Sequence, residues 1–291
     1  MILNKTPTTS YPLQPRQDDK RLKRPVRFIA RRATAHMRVL PDFLLVGGMK
    51  CGTSSMFRSL SRHSMIEPPF RKEVHYFSTG WQQGKSHSWY RAHFPRKSSV
   101  HDGSITGEAC PAYLFHPTAM ARCAMVVPDA RIIVILRDPV ERAISHYFHE
   151  VRMGRERLTI DKAMAVEEER MASISPGSEC HDRAAAEMYL HASYKAQGIY
   201  VDQLERLYAS YPASRVLVMK SEEIFVSPQQ EVERALAFLG LEHERDPAGF
   251  PAANTGTNRE PVSNDLIERL RGYFAPHNAR LSAMLGSRFT W

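Results

Sequence analysis

The sequence predicts an α/β protein, a P-loop-like three-layer α/β/α sandwich built on a central parallel sheet. Two observations carry that prediction. Short apolar, β-branched runs alternate with segments of helical periodicity, the pattern of strands joined by crossover helices. The runs are apolar throughout rather than alternating, as strands covered on both faces require.

The strand-like and helix-like segments follow in order. "DFLLVGG" reads as a buried strand ending in glycines, and "TSSMFRSLSRH" as the helix after it, with Met56, Phe57 and Leu60 on one face. "RIIVILRDP" (131–139) is a second strand stopped by Asp-Pro, followed by the helix "VERAISHYFHEVRMG" (140–154). "SRVLVMKSEE" (214–223) is a third strand, and "QQEVERALAFLGL" (229–241) a helix closed by Gly240. "NDLIERLRGYFAPHNARLSAMLG" (264–286) reads as two closing helices broken near Pro276. There is no internal repeat and no strong linker after residue 40, so residues 41–291 are expected to form one domain.

Charge is unevenly spread. The chain has 40 Lys and Arg against 31 Asp and Glu, and ten of those cations, against two acids, fall in residues 1–40. The rest is nearly neutral. Residues 1–40 therefore read as a basic, flexible tail able to touch anionic lipid or polymer, and the domain itself carries no sign of specific nucleic-acid binding. No apolar run is long enough to span a membrane and the tail lacks a signal-peptide core, so a cytoplasmic protein, peripheral to a membrane through the tail, is expected. Cys51, Cys110, Cys123 and Cys180 show no C-x-x-C spacing, and no metal-ligand cluster is visible.

Function is sought at the carboxyl ends of strands, where open α/β sheets bind ligands. The first strand delivers "GGMKCGTSS" (47–55). A glycine turn entering a helix aims backbone N–H groups at an anion, and Thr53, Ser54 and Ser55 add hydroxyls. A triphosphate loop has Lys directly after its second glycine; here Thr53 follows Gly52 and the lysine stands earlier, at Lys50. The second strand end supplies Arg137, Asp138 and Pro139 where a nucleotide-triphosphate enzyme wants a magnesium-binding aspartate. Arginine suits a phosphate monoester, and Ser145 on the next helix adds a hydroxyl. The alternative role for Arg137 is a pair with Asp138 or Glu141. Two other functions fit parts of this pattern: a P-loop small-molecule kinase, and a binder of anionic surfaces or nucleic acid driven by the tail.

"VGGMKCGTSSM" and "ILRDPVERAISHY" resemble the 5′-phosphosulfate and 3′-phosphate motifs of sulfotransferases that use 3′-phosphoadenosine 5′-phosphosulfate (PAPS). "KEVHYF" (72–77), "GEACPAYLF" (107–115), "FLGL" (238–241) and the terminal "YFAPHNARLSAMLGSRFTW" resemble the branch acting on carbohydrates, heparan sulfate enzymes and bacterial relatives included. The resemblance covers residues 41–291. It implies that Lys50, Cys51, Gly52, Thr53, Ser54 and Ser55 hold the 5′-phosphosulfate, and that Arg137 and Ser145 hold the 3′-phosphate. It also implies that PAP (adenosine 3′,5′-bisphosphate) is the product and no metal is needed. Glu73 falls at the position of the catalytic base, with His75 as orienting group or alternative base. The implied acceptor is a saccharide, glycoconjugate or glycosylated small molecule. Two departures stand out. Ala109 replaces a lysine common before Thr-Pro in the family, and "NTGTNREP" (254–261) replaces a Lys- and Gly-containing cofactor loop, leaving Asn258 and Arg259 as its candidates. Residues 154–194, rich in Arg, Glu and His, are the expected acceptor side, with 170–189 either a mobile loop or a helical cover with an exposed loop.

Overall fold

The computed structural model describes residues 20–174, 182–244, 249–250 and 260–291. Five strands form one parallel sheet in the order β2-β3-β1-β4-β5: β1 (Phe43–Gly47), β2 (Ile66–Glu67), β3 (Ile105–Ala109), β4 (Arg131–Leu136) and β5 (Val216–Lys220). The three strands expected from apolar runs are β1, β4 and β5. The two others escaped detection: β2 is two residues long, and β3, "ITGEA", has too few apolar residues to stand out.

The pleat sends alternate residues to opposite faces. Leu44, Val46, Ile132, Val134 and Leu136 face one layer, with α4 (Ala112–Phe115), α5 (Ala119–Val126) and α10 (Tyr200–Tyr208). Phe43, Leu45, Ile133, Ile135 and Met219 face the other, where Met56, Phe57 and Leu60 of α2 (Thr53–Leu60) meet α11 (Ser221–Val226) and α12 (Pro228–Leu239). This is the three-layer arrangement expected. A third cluster joins α6 (Pro139–Arg152) and α7 (Ile160–Ala165) to α13 (Asn264–Leu285).

One helical reading needs correction. Residues 264–285 form a single helix with Pro276 inside it. A proline removes one backbone donor and crowds the preceding turn. Here the buried Leu266, Leu270, Phe274 and Leu281 anchor the helix on both sides of Pro276, and packing outweighs the local loss. In the basic segment, Lys20–Ala33 form helix α1, whose Phe28 stacks on Phe70 at 5.9 Å and meets His93 at 4.6 Å.

Because every strand is parallel, all five carboxyl ends lie on one edge of the sheet. The loop 48–52 leaves β1 there, Cys110 follows β3, Arg137 follows β4 and Ser221 opens the helix after β5.

Candidate active site

A cavity of about 760 Å³ opens at that edge. Lys50, Gly52, Thr53, Ser54, Glu73, His75, Arg137 and Ser145 all line it.

The β1 loop is shaped by two glycines. Gly47 passes so close to β4 that a Cβ would sit 2.7 Å from the Ile135 carbonyl oxygen, and Gly52 turns into α2 at φ +92°. No side chain caps α2 at Gly52, so the first amides of the helix are left for another acceptor. Lys50 takes φ +71°, a left-handed conformation costly for a residue with a Cβ. Cys51 and Ser55 are fully buried and are not among the residues lining the cavity. Cys51 Sγ lies 3.8 Å from the Tyr200 hydroxyl, and burial pushes its thiol up to about 11.

The β4 end is fixed by a cap. Asp138 accepts hydrogen bonds from the Val140 and Glu141 amides, and Pro139 starts α6 with its φ already helical. The helix then sends Glu141, Ser145 and His149, four residues apart, to the cavity, while Val140, Ala143 and Ile144 enter the core. Arg137 donates to the Lys50 carbonyl at 3.3 Å and to Glu141 Oε2 at 3.1 Å. The Glu141 pair weighed in the sequence thus exists, and it leaves the guanidinium on the cavity wall. The Tyr200 hydroxyl on α10 donates to the Arg137 carbonyl at 2.9 Å and lies 3.8 Å from Cys51 Sγ, so the two strand-end loops are joined directly through Arg137 and Lys50 and also through Tyr200.

Residues 40–249 match the sulfotransferase domain family. The chain belongs to the sulfotransferase family. A sulfotransferase from Alicyclobacillus acidocaldarius superimposes with a TM-score of 0.67 at 33% identity, covering 84% of this chain and 96% of that one. Human heparan sulfate glucosamine 3-O-sulfotransferase 6 is 28% identical over 87% of this chain and 74% of its own length. The membrane-associated sulfotransferase kil1 of Dictyostelium discoideum is 23% identical over 87% of this chain and 66% of its own length. With its family, this chain is a PAPS-dependent enzyme, which sets aside the kinase and the non-enzymatic binder.

Around the expected Glu73 and His75, the roles of Lys72, Cys110 and Glu108 in this sulfotransferase escaped sequence reading. Lys72 Nζ bridges Ser54 Oγ at 2.5 Å and Glu73 Oε1 at 2.9 Å, joining the phosphate loop to the carboxylate. Glu73 and His75 both adopt left-handed backbone, φ +58° and +57°, and so throw both side chains toward the cavity. His75 sits between Cys110 Sγ, 3.5 Å from Nδ1, and Glu73 Oε2, 3.8 Å from Nε2. The hydrogen-bonding partner His75 and the cation of Lys72 hold the Glu73 carboxyl at about 2, burial opposing them. The imidazole is pushed above its ordinary value, first by the Cys110 sulfur and then by Glu73.

Behind this pair stands Glu108, fully buried on β3. It accepts hydrogen bonds from the Tyr90 and Tyr113 hydroxyls and from the Val74 amide, at 2.7 to 3.0 Å. The Tyr113 hydroxyl in turn accepts from the Tyr76 amide. The strained stretch 73–76 is thus pinned from below, with Glu108 as a packed anchor. Ala109, where family members often carry lysine, is buried among the apolar residues of the α2 layer. Of the expected acceptor side, Leu190 and His191 on α9 (Arg183–His191) reach the cavity. Asn258 and Arg259 lie outside the described residues.

The described residues hold no His, Cys, Asp or Glu cluster able to bind a metal ion, and none of their helices is long and apolar enough to cross a membrane.

Proposed function

We propose that this enzyme moves a sulfuryl group from PAPS to a hydroxyl or amine of a saccharide or glycoconjugate, with Glu73 as general base. The observation that carries this reading is Lys72, which spans from the phosphate loop at Ser54 to the carboxylate at Glu73 and sets them one side chain apart. A donor phosphosulfate on the loop and an acceptor on Glu73 would then meet.

In this reading Lys50, Thr53, Ser54 and the start of α2 receive the 5′-phosphosulfate, and Arg137 and Ser145 receive the 3′-phosphate. Glu73 takes the acceptor proton as the acceptor oxygen or nitrogen bonds to sulfur. The bond between sulfur and the bridging phosphate oxygen breaks, and its electron pair leaves on the 5′-phosphate of PAP. Lys50 and the α2 dipole offset that charge. The site's tuning bears on the base. Held near 2, Glu73 is ionised at neutral pH but weakly basic. A sulfonate on the loop would compete with Glu73 for Lys72, and any loosening of the Lys72–Glu73 pair would raise the carboxylate's basicity. In this reading His75, 3.8 Å from Glu73 Oε2 and 3.5 Å from Cys110 Sγ, orients the carboxylate.

A saccharide is favoured as acceptor by the relatedness to a heparan sulfate glucosamine sulfotransferase. The cavity wall also offers His149 and His191 as hydrogen-bonding partners for hydroxyls. The test is incubation with ³⁵S-labelled PAPS and a panel of glycans, glycolipids, peptides and phenols. Label on glycans in wild type and its loss in Glu73→Gln are expected; label confined to peptides or phenols would overturn the acceptor class.

A further inference from the structure

Helix α1 points an apolar face away from the body of the protein. On a 3.6-residue period Val26, Ile29, Ala30 and Ala33 share one arc, and all four are exposed, Val26 at 68% and Ile29 at 66%. The opposite arc holds Phe28 and Arg31. Phe28 packs on Phe70, Trp89 and His93. Arg31 lies over the Phe70 ring and donates to the carbonyls of Ala92 and Phe94 at 2.7 and 2.6 Å. The helix is therefore docked by one side, and what it shows outward is not the polar face an exposed helix normally carries. Arg27 and Arg32 stand exposed on the two flanks of the apolar arc.

The charge around that arc has one sign. Lys20–Ala33 contains seven Lys and Arg and no carboxylate. Burial, and then the nearby charges of Arg38, Arg27 and Arg96, depress Arg31 to about 10.

We propose that α1 is an interfacial helix that seats this enzyme on an anionic bilayer. An apolar stripe rimmed by cations and lying flat on the fold is the form that enters the headgroup region, with side chains in the acyl boundary and arginines among the phosphates. The occupant follows from the two features together. A soluble polyanion would use the arginines but gain nothing from Val26 and Ile29. A second copy of the chain would bury the apolar stripe but bring the flanking Arg27 and Arg32 of one copy against those of the other. A bilayer carrying acidic lipid satisfies both. The proposal stands apart from the acceptor reading, since no residue of α1 lines the active-site cavity.

The experiment is co-sedimentation of the full chain with vesicles of phosphatidylcholine and with vesicles containing an equal share of phosphatidylglycerol. The chain should pellet with the mixed vesicles and stay in solution with the neutral ones. Val26→Asp with Ile29→Asp should lower binding about tenfold or more, as expected for withdrawing two side chains from the interface. Val26→Leu with Ile29→Leu should bind at least as well as wild type. Arg27→Gln with Arg32→Gln should weaken binding to mixed vesicles and reduce its salt sensitivity. Calorimetry with PAP on each variant confirms an intact fold, because the substituted side chains are exposed and distant from the cavity. Three results would overturn the proposal: no preference of wild type for mixed vesicles; full binding by the Asp pair; or equally tight, variant-insensitive binding to soluble polyphosphate. Dimers by light scattering that the Asp pair abolishes, without vesicle binding, would also overturn it in favour of self-association.

Discussion

Three consecutive features at residues 72–75 set the chemistry: a bridging lysine, a carboxylate and an imidazole, the last two on left-handed backbone. Strain of this kind persists only where the surroundings impose it, and here Glu108 and the tyrosines supply the imposition. Lys50→Ala and Glu73→Gln are each expected to lower turnover by about 10²-fold or more, from lost charge stabilisation and lost proton transfer. Full activity in either folded variant removes its role. Lys72→Ala separates the two functions of the lysine bridge. Without that cation the Glu73 carboxyl moves up from about 2 toward the ordinary range, because Lys72 is one of the groups lowering it. A base must be ionised to act, so the acid limb of kcat/KM should shift to higher pH in Lys72→Ala. A limb unchanged in position would show that Lys72 does not tune Glu73.

At the scale of elements, the functional residues are delivered by strand ends, and the elements between them were unequally visible. The helix across Pro276 offers the plainest test. Pro276 is exposed, and its backbone cannot donate to the carbonyl four residues back, at Gly272. Pro276→Ala restores that donor in a helix already anchored on both sides, so it should stabilise the fold by about 1–3 kcal/mol. A urea midpoint that does not rise would mean the proline is accommodated without loss. Local rules misread this helix because they register a proline but not the buried leucines holding its two halves in line. For the same reason β1, β4 and β5 were legible, being apolar throughout, whereas β3 was not: Thr106, Gly107 and Glu108 suit their sites through hydrogen bonds and a close approach to Phe43. The phosphate loop, Arg137, Ser145, Glu73 and His75 were readable because spacing and motif bring them out. Lys72 and Cys110 stood in the same motifs, but their roles rest on contacts from Lys72 to Ser54 and from Cys110 to His75 that span 18 and 35 residues. Linear pattern carries no signal for such contacts.

For the whole molecule, buried histidines govern how stability responds to acid. Burial holds His93 and His116 down to about 4 and His146 down to about 3, and lowers His149 as well. Each stays neutral in the folded protein while its unfolded counterpart takes a proton below about 6.5. The unfolded chain then binds more protons, so stability falls as pH falls from about 6.5 toward the folded values. His75 works the other way, since its folded value is raised; its contribution is already complete once pH has dropped below 6.5, and it no longer offsets the others. Below about 4.5 the carboxylates join, because Glu73 and Glu156 are held at about 2 by their partners and lose that stabilisation as they protonate. The decline therefore has two stages, histidines first and carboxylates second. Urea midpoints measured at intervals from pH 8 to pH 4 should rise from pH 8 toward about 6.5, where His75 is the group whose folded state holds the extra proton, and drop steadily below 6.5. His116→Gln, which keeps a polar side chain near Gln82 and Thr118 but cannot take up a proton, should reduce the drop between pH 6.5 and 5. A wild-type profile flat from 7 to 5 would show that these imidazoles are protonated in the folded protein after all.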